Sequence, residues 1–319
     1  MAFIDVFNGD ADGLCALHQL RLANPQDSTL ITGVKRDIAL VKQVRCNAGD
    51  TVTILDISLD KNRGDLLNVL EKGANVTYVD HHFAGEIPAH DNLDAHIDTA
   101  ATTCTSLIVN TMLNGAHLPW AVVAAFGDNF LDSAREAAAP LALSDEQLTQ
   151  LQTLGTLLNY NGYGASLSDL FFEPAQLYKL MQPHTSPFTF IEEEPAFNTL
   201  QSGFSDDHAR ACAIEAQQAS EHIAIYEFPD EPFARRISGV YANELAQSNP
   251  DRAHALLSKT DDGHYLVSVR APINNCTGAD ELCRQFETGG GRKAAAGVNK
   301  LPASELDRFA STMAAQFTP

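Results

Sequence analysis

Asn75-Val-Thr-Tyr-Val-Asp-His-His82 is the stretch that decides the fold. Its β-branched and aromatic residues predict a strand, and an acid with two adjacent imidazoles follows where that strand ends. Open α/β sheets carry their binding sites at the carboxyl edge of the strands. We therefore expect Asp80, His81 and His82 at such an edge, in an arrangement typical of a metal site.

Three other apolar runs in the sequence also end in acidic residues. The runs and the acids after them are Phe3–Phe7 with Asp10 and Asp12, Thr51–Leu55 with Asp56, and Ala124–Gly127 with Asp128. Four runs that end in this way indicate one shared site better than four unrelated surface turns. The side chains expected to meet there are Asp10, Asp12, Asp56, His81 and Asp128.

Strand-like and helix-like segments alternate from Met1 to about Asn129. This alternation predicts an α/β fold with a mostly parallel sheet covered by helices, followed by a smaller α/β C-terminal domain. The proline-containing stretch from 174 to 195 has no clear period and is interpreted as the connection. We expect a first domain at 1–200, a linking helix at 201–222 and a second domain at 223–319, with a strand at Arg235–Val240.

The 319-residue chain is strongly acidic, with 41 Asp and Glu against 21 Lys and Arg and a formal net charge of −20. Affinity for long nucleic acids comes largely from Lys and Arg side chains that neutralise phosphates. Acidity is also a common route to solubility. A small anion held by a few local groups suits this chain better than a polymer, so no long nucleic acid is expected as a partner.

The six cysteines form no Cys-x-x-Cys pair, which favours a reduced protein over a disulfide or zinc framework. The N-terminus shows no basic-then-apolar leader, and no apolar run is long enough to span a bilayer. We therefore expect a cytoplasmic protein without a membrane partner.

The converging acids and histidine predict a site for two divalent cations. Five hard or borderline ligands are too many for one ion, and carboxylates crowded without cations repel one another. Two ions roughly 3.5–4 Å apart would share a carboxylate and activate water for attack on phosphorus. An imidazole among oxygen ligands favours Mn²⁺ over Mg²⁺.

A second chemical stretch is Thr288-Gly-Gly-Gly-Arg-Lys-Ala-Ala-Ala-Gly297. Three successive glycines leave backbone N–H groups free to approach an anion, and Arg292 and Lys293 add positive charge. The alanines are interpreted as the start of a helix whose N-terminus also favours phosphate. The alternative is a flexible glycine turn, with Arg270 as simple surface charge.

Six short motifs follow one another along the chain, and they are Asn8-Gly-Asp-Ala-Asp-Gly13, Asp56, Asp80-His-His82, Gly127-Asp128, Ser268-Val-Arg270 and Gly289-Gly-Gly-Arg-Lys-Ala-Ala-Ala-Gly297. In this order they resemble the motifs of the DHH phosphoesterase superfamily with its DHH-associated C-terminal domain. The branch contains RecJ-like exonucleases, nanoRNases and linear or cyclic dinucleotide phosphodiesterases. The resemblance covers nearly the whole chain.

The resemblance implies two Mn²⁺ ions, with Mg²⁺ or Co²⁺ as alternatives. One ion would be held by Asp10 and Asp56, and the other by Asp12, Asp56, His81 and Asp128, with Asp56 as the bridge. Among the catalytic residues, Asp80 would orient a histidine and His82 would face the substrate phosphate. The far end of a nucleotide would lie in the interdomain cleft against Arg270, Gly289, Gly290, Gly291, Arg292 and Lys293.

Two positions depart from the family pattern. Asn8 stands where histidine is common, so its amide oxygen would be a weaker ligand for the first ion. Arg292 stands where the glycine motif commonly continues with histidine. Because arginine can bind a phosphate with two parallel hydrogen bonds, this change favours a substrate with a terminal 5′-phosphate.

These observations predict an Mn²⁺-dependent phosphodiesterase that cuts 5′-phosphorylated dinucleotides, such as pGpG or pApA, to mononucleotides. The alternatives are a nucleotide-binding regulator without turnover, motivated by Asn8, a DHH exonuclease, or a bisphosphate nucleotide phosphatase. The small nucleotide is the expected partner, and the first domain is a candidate for homodimer formation.

Overall fold

The computed structural model describes residues 1–260 and 262–318. Contacts divide the chain into two compact units, Met1–Ser202 and Gly203–Pro319. Within the described ranges, no helix combines the length and the apolar character that crossing a bilayer requires.

The first unit contains five strands, eight complete α-helices and the first part of a ninth. The strands are β1 Phe3–Phe7, β2 Ser28–Ile31, β3 Thr51–Leu55, β4 Asn75–Asp80 and β5 Leu93–Ile97. The helices are α1 Ala11–Ala23, α2 Leu59–Glu71, α3 Thr105–Met112, α4 Leu118–Gly127, α5 Leu131–Ala138, α6 Asp145–Gly162, α7 Pro174–Met181, α8 Pro187–Glu193 and α9 Pro195–Cys212. The division between the two units falls within α9.

All five strands are parallel and lie in the order β2-β1-β3-β4-β5. The predicted parallel sheet with helices around it is thereby confirmed. Because β1, β3 and β4 are neighbours in register, the residues that follow Phe7, Leu55 and Asp80 emerge side by side.

Alternating side chains of the strands build the core of this unit. On one face, Val6, Ile54 and Tyr78 pack against Leu66 and Leu70 of α2. Burying each such apolar side chain contributes roughly 1.5–3 kcal/mol. The hydroxyl of Tyr78 donates to the carbonyl of Ile57, so its one polar atom is paired inside the core. This packing fixes the strand ends that carry the candidate site.

The prolines between 174 and 195 begin helices, which the sequence analysis did not foresee. Pro174, Pro187 and Pro195 are the first residues of α7, α8 and α9. Proline suits the first helical position because its fixed φ matches the helix and its missing N–H would have no partner there. The interpretation of this stretch as an aperiodic connection was therefore wrong.

The second unit has one six-stranded sheet in the order β10-β11-β9-β8-β7-β6. Its elements are β6 Gln218–Ala219, β7 Ile223–Phe228, α10 Pro232–Ser248, β8 Ala253–Lys259, β9 His264–Arg270, α11 Ala279–Cys283, β10 Gly289–Gly291, β11 Ala295–Pro302 and α12 Leu306–Phe317. The sheet is mixed, since β7 and β8 are parallel and the other pairs are antiparallel.

Three predicted elements differ from the structure. The strand predicted at Arg235–Val240 lies inside α10, where Pro232 starts the helix and the apolar residues follow a helical period. The helix predicted at 201–222 ends at Cys212, and Gln218–Ala219 form a strand. The alanine run begins strand β11, whose small residues pair with β9 and β10.

Candidate metal centre

The predicted residues of the first unit meet at the carboxyl edge of the parallel sheet. Asn8 follows β1, Asp56 follows β3, and His81 follows β4. Asp128 comes from a different direction, as the residue after the last turn of α4. The close approach of α4 to α6 depends on Gly127, because a Cβ there would lie 2.7 Å from the carbonyl oxygen of Gly155.

Asp10 caps helix α1 with one of its carboxylate oxygens. Its Oδ1 accepts hydrogen bonds from the backbone N–H groups of Asp12 and Gly13, at 3.0 and 3.1 Å. Aspartate is favoured at this position because it pairs helix N–H groups that would otherwise lack a partner. The second oxygen, Oδ2, is thus left for contacts outside the helix.

Asp12 is fully buried and is held by the N-terminus of α3. The backbone N–H groups of Thr105 and Ser106 donate to its two carboxylate oxygens at 2.8 and 2.7 Å. A helix N-terminus favours negative charge, so this contact fixes the carboxylate in place. The Thr105 hydroxyl also donates to Asp56 Oδ1 at 3.2 Å.

His81 turns its Nε2 atom toward three carboxylates. The Nδ1–H group donates to the carbonyl of Thr103 at 3.1 Å, so Nε2 is the ring nitrogen that faces the site. That atom lies 3.4 Å from Asp56, 3.6 Å from Asp128 and 4.0 Å from Asp12. Three carboxylates around one ring nitrogen at these distances leave room for a cation between them, so the orientation of His81 fits a metal ion.

His82 is held in a different way. Its Nδ1–H donates to Oδ1 of the buried Asp80 at 2.7 Å, and its side chain is 45% exposed. Burial favours the neutral ring, but the hydrogen bond and the charge of Asp80 outweigh it and raise the pKa of His82. The orienting partner of Asp80 is therefore His82.

Two of the carboxylates, those of Asp56 and Asp12, lie in surroundings that disfavour their charged form. Burial raises the pKa of Asp56 well above its ordinary value, and the charges of Asp12, Asp10 and Asp128 raise it further. Burial raises the pKa of Asp12 as well, against the opposing effect of His81. A bound cation would remove both penalties, because it favours the charged form of every carboxylate around it.

Two overlapping sets of side chains have the spacing of metal ligands. One consists of Asp12, His81 and Asp128, and the other of Asp56, His81 and His82. Oxygen and imidazole donors of this kind fit a divalent ion such as Mn²⁺ or Mg²⁺. Among the residues that the structure describes, Asp10 belongs to neither set.

Lys35 also enters the site, and the sequence analysis missed it. Its Nζ lies 2.5 Å from Asp10 Oδ2, 3.1 Å from Asp128 Oδ1 and 2.9 Å from the amide oxygen of Asn159. Burial alone would lower the pKa of Lys35, but Asp10 and Asp128 raise it well above its ordinary value. Lys35 follows β2, but a single lysine after a strand is ordinarily surface charge, so the sequence alone did not single it out.

A cavity of about 370 Å³ opens onto these groups. Its lining includes Asp10, Asp56, Asp128 and His81, together with Lys61 and the apolar side chains of Ile38, Ile57 and Phe83. Phe83 is 74% exposed although it is aromatic. The cavity therefore combines a cation-binding wall with an apolar wall.

The predicted substrate-binding residues of the second unit lie on β9, β10 and the turn before β11. Gly289, Gly290 and Gly291 form β10, paired with Val298, Gly297 and Ala296. The exposed Arg292 and Lys293 form the turn of this hairpin. Arg270 pairs in register with Ala295, and its Nε donates to Asn243 at 2.8 Å. Of the three glycines, Gly290 has open space beside its backbone, whereas Gly289 and Gly291 are packed against Cys283 and Ala296.

Comparison with known proteins finds solved structures with a similar fold. No family model and no curated protein matches the sequence. A structure of exonuclease RecJ bound to manganese is similar over 98% of this chain and 89% of its own, with a TM-score of 0.65 and 14% identity. RecJ from Thermus thermophilus with Mn²⁺ matches with a TM-score of 0.57 and 17% identity, and this chain covers 51% of its length.

The third similar structure is PggH from Vibrio cholerae, a pGpG-specific phosphodiesterase. It matches 99% of this chain and 100% of its own, with a TM-score of 0.56 and 13% identity. The likeness to RecJ and PggH bears out the fold that the motifs predicted, with a parallel sheet covered by helices followed by a second, mixed sheet.

Proposed function

We propose that this protein is a divalent-metal-dependent phosphodiesterase that hydrolyses short linear nucleotides, such as the 5′-phosphorylated dinucleotides pGpG and pApA, to mononucleotides. The observation that carries the proposal is His81 Nε2, which faces Asp12, Asp56 and Asp128 across 3.4 to 4.0 Å. When bound there, a divalent ion would activate water and offset the negative charge of a phosphodiester.

His82 is the group of this chain suited to contact the phosphate. Asp80 accepts its Nδ1–H and so fixes the ring, and the His82 side chain is 45% exposed. The raised pKa favours the protonated ring, which can donate to a phosphate oxygen. We assign it the binding of the phosphate, with Asp80 as its positioning residue.

A short nucleotide fits the size and composition of the cavity. Its volume of about 370 Å³ is near the lower end for small-molecule sites. Phe83 and Ile38 offer apolar surface for a base beside the acidic wall, and aromatic side chains bind bases by stacking. The net charge of −20 disfavours a long polyanion. PggH, with the same fold, is pGpG-specific.

For the second unit, we propose that the glycine strand and its turn bind the terminal phosphate of the nucleotide. Gly290 has open space where a Cβ would lie, which allows a ligand to approach the backbone. Arg292 and Lys293 supply positive charge in the turn that follows. Arg270 adds a guanidinium at the end of β9.

The test is hydrolysis by the purified full chain with Mn²⁺, with Mg²⁺ and with chelator. The substrates are 5′-phosphorylated dinucleotides of each base, a longer oligonucleotide, a 3′,5′-bisphosphate nucleotide, cyclic dinucleotides and pyrophosphate. We expect metal-dependent release of mononucleotides from the dinucleotides, with little release from the longer chain. A preference for the long oligonucleotide would instead identify an exonuclease.

Binding without turnover is the outcome that would replace the proposal with a regulatory role. In that case, nucleotides would raise the melting temperature of the protein while every substrate stayed intact with either metal. Asn8 is the residue that motivates this alternative, since an amide is a weaker metal ligand than the histidine common at this position.

A further inference from the structure

We propose that the ammonium group of Lys35 takes the position of a second metal ion, so that this site binds one divalent cation per chain. The inference rests on the metal-binding part of the proposed function and not on turnover or substrate. It departs from the two-ion site that the resemblance implied.

The first argument is the position of the ammonium group. Lys35 Nζ contacts three oxygens, those of Asp10, Asp128 and Asn159, at 2.5 to 3.1 Å. A shell of oxygens around a point charge is also how proteins bind hard cations. The backbone holds Lys35 in place, because its N–H donates to the carbonyl of Gly162 at 2.8 Å.

The second argument is that both carboxylate oxygens of Asp10 already have partners. Its Oδ1 accepts from two backbone N–H groups at the start of α1, and its Oδ2 is paired with Lys35. The resemblance assigned one ion to Asp10 and Asp56. With Asp10 paired in this way, the ion assigned to Asp10 and Asp56 would have few ligands besides Asp56, which it would share with the other ion.

The third argument comes from Asn8. Its Oδ1 is buried and has no hydrogen-bond partner among the described residues, while its Nδ2 donates to the carbonyl of Lys35 at 3.3 Å. A neutral amide oxygen is a weak ligand for a second divalent ion. Through its Nδ2, Asn8 instead helps to hold the backbone of the segment that carries Lys35.

The remaining ligands fit a single ion. Asp12, His81 and Asp128 have ligand spacing, and Asp56 lies 3.4 Å from the same histidine nitrogen. Asp128 serves both cations, because its Oδ1 contacts Lys35 and its Oδ2 faces His81. One divalent ion and one lysine would lie on opposite sides of this carboxylate.

The direct test is a count of bound Mn²⁺ ions, made from the electron paramagnetic resonance signal of the free ion during titration. The wild-type chain is expected to bind one ion. Lys35→Met removes the charge and leaves Asp10 and Asp128 free, so it is expected to bind two. Lys61→Met is the matched control, because Lys61 lines the same cavity but pairs with Asp60, and it should bind one.

A second variant keeps the test valid if Lys35→Met fails to fold. Asp10→Asn preserves the helix cap, because asparagine is an equally good cap. If Asp10 binds no ion, this change shifts the Mn²⁺ dissociation constant by less than about threefold. Two ions bound to the wild type, a single ion bound to folded Lys35→Met, or a large loss of affinity in Asp10→Asn would each overturn the proposal. None of these readouts depends on whether any nucleotide is cut.

Discussion

At the scale of one residue, Asp56 has a backbone conformation and an electrostatic environment that are both energetically unfavourable. Its φ of 58° lies in the left-handed region, which aspartate and asparagine adopt more easily than most residues. It is 2% exposed and surrounded by other carboxylates. Backbone strain and charge crowding at one residue indicate a functional constraint, and a bound cation explains the second of them.

Asp56→Asn is predicted to separate metal binding from folding. Asparagine tolerates the same backbone conformation and removes one charge from the cluster, so the metal-free melting temperature should not fall. The rise in melting temperature that Mn²⁺ causes in the wild type should largely disappear, because binding to the folded state is its source. The measurement is thermal melting with and without Mn²⁺.

The control for that experiment is Asp60→Asn, which removes a carboxylate that lines the cavity and pairs with Arg63. It should keep the Mn²⁺ effect. An undiminished Mn²⁺ effect in Asp56→Asn would contradict the assignment of Asp56 as a ligand.

Phe83 is the second residue whose setting invites a test. The Arg63 side chain donates to the carbonyls of Ala84 and Glu86, and the Ser58 hydroxyl donates to the carbonyl of Phe83. These bonds fix a short loop that leaves the ring 74% exposed beside the cavity. An exposed aromatic on a fixed loop is suited to stacking against a base.

Phe83→Ala is predicted to lower kcat/KM for a dinucleotide by about tenfold, since stacking on one base is worth roughly 1–3 kcal/mol. The change should be small for a 5′-phosphorylated dinucleotide analogue with abasic sugars, because that analogue has nothing to stack. Ile87→Ala is the matched control, as Ile87 is 44% exposed on the next part of the chain but does not line the cavity. Equal losses on both substrates would argue against stacking.

At the scale of elements, the sequence predicted the site residues that follow a strand end. It missed the contacts made by residues distant in the chain. Asp10, Asp56 and His81 could be found because each follows an apolar run by a few residues. Thr105 and Ser106, which hold Asp12, are 93 and 94 residues away from it in the chain. No local pattern indicates which helix N-terminus will meet which carboxylate, so such partners need the fold.

The prediction of secondary structure was wrong in two places for a related reason. The alanines after Lys293 have a high helix propensity, yet β11 is paired on both sides by β9 and β10. Strand pairing and burial override propensity here. Arg235–Val240 could be taken for a strand as a short segment, whereas the whole of α10 from Pro232 has a helical period.

Helix α1 carries a histidine that should make stability depend on pH. His18 is buried against Trp120, and its Nε2–H donates to the carbonyl of His184 at 2.8 Å. Burial lowers the pKa of His18 to about 4, and the hydrogen bond to the His184 carbonyl opposes this shift only in part. The unfolded chain therefore takes up a proton between about pH 6.5 and 4 that the folded chain refuses.

The contribution of His18 to stability is present above about pH 6.5 and is lost as the pH falls toward 4. His18→Gln keeps a donor for the His184 carbonyl but does not titrate. Between pH 7 and pH 5, the wild type should lose about 2 kcal/mol more unfolding free energy than this variant. Urea unfolding at both pH values measures it, with the exposed His90→Gln as a control that should follow the wild type. Parallel losses in all three proteins would show that His18 is not responsible.

At the scale of the whole molecule, the net charge of −20 limits the substrate. A long single strand needs many phosphate contacts, and these come from lysine and arginine. A long oligonucleotide should therefore be a weak inhibitor of dinucleotide hydrolysis, even at low salt. At equal concentration, we expect its inhibition to be less than about a third of the inhibition by unlabelled dinucleotide. Strong, salt-sensitive competition would indicate a polymer-binding surface.

The whole fold was easier to predict than the site. Alternating strands and helices follow from sequence periodicity, and the parallel sheet follows from that alternation. The position of Lys35 among the acids could not be read in the same way, because one lysine after a strand is ordinarily surface charge. Its meaning depends on Asp10, Asp128 and Asn159, which three other parts of the chain supply.

The measurement that tests the central claim most directly is the rate of mononucleotide release from a 5′-phosphorylated dinucleotide by the wild type and by His81→Ala, each with Mn²⁺ and with chelator. The account predicts release by the wild type with Mn²⁺, none with chelator, and a loss of at least about a hundredfold in His81→Ala. Hydrolysis that persists in His81→Ala or in chelator would contradict it, and so would a wild-type protein that leaves every dinucleotide intact.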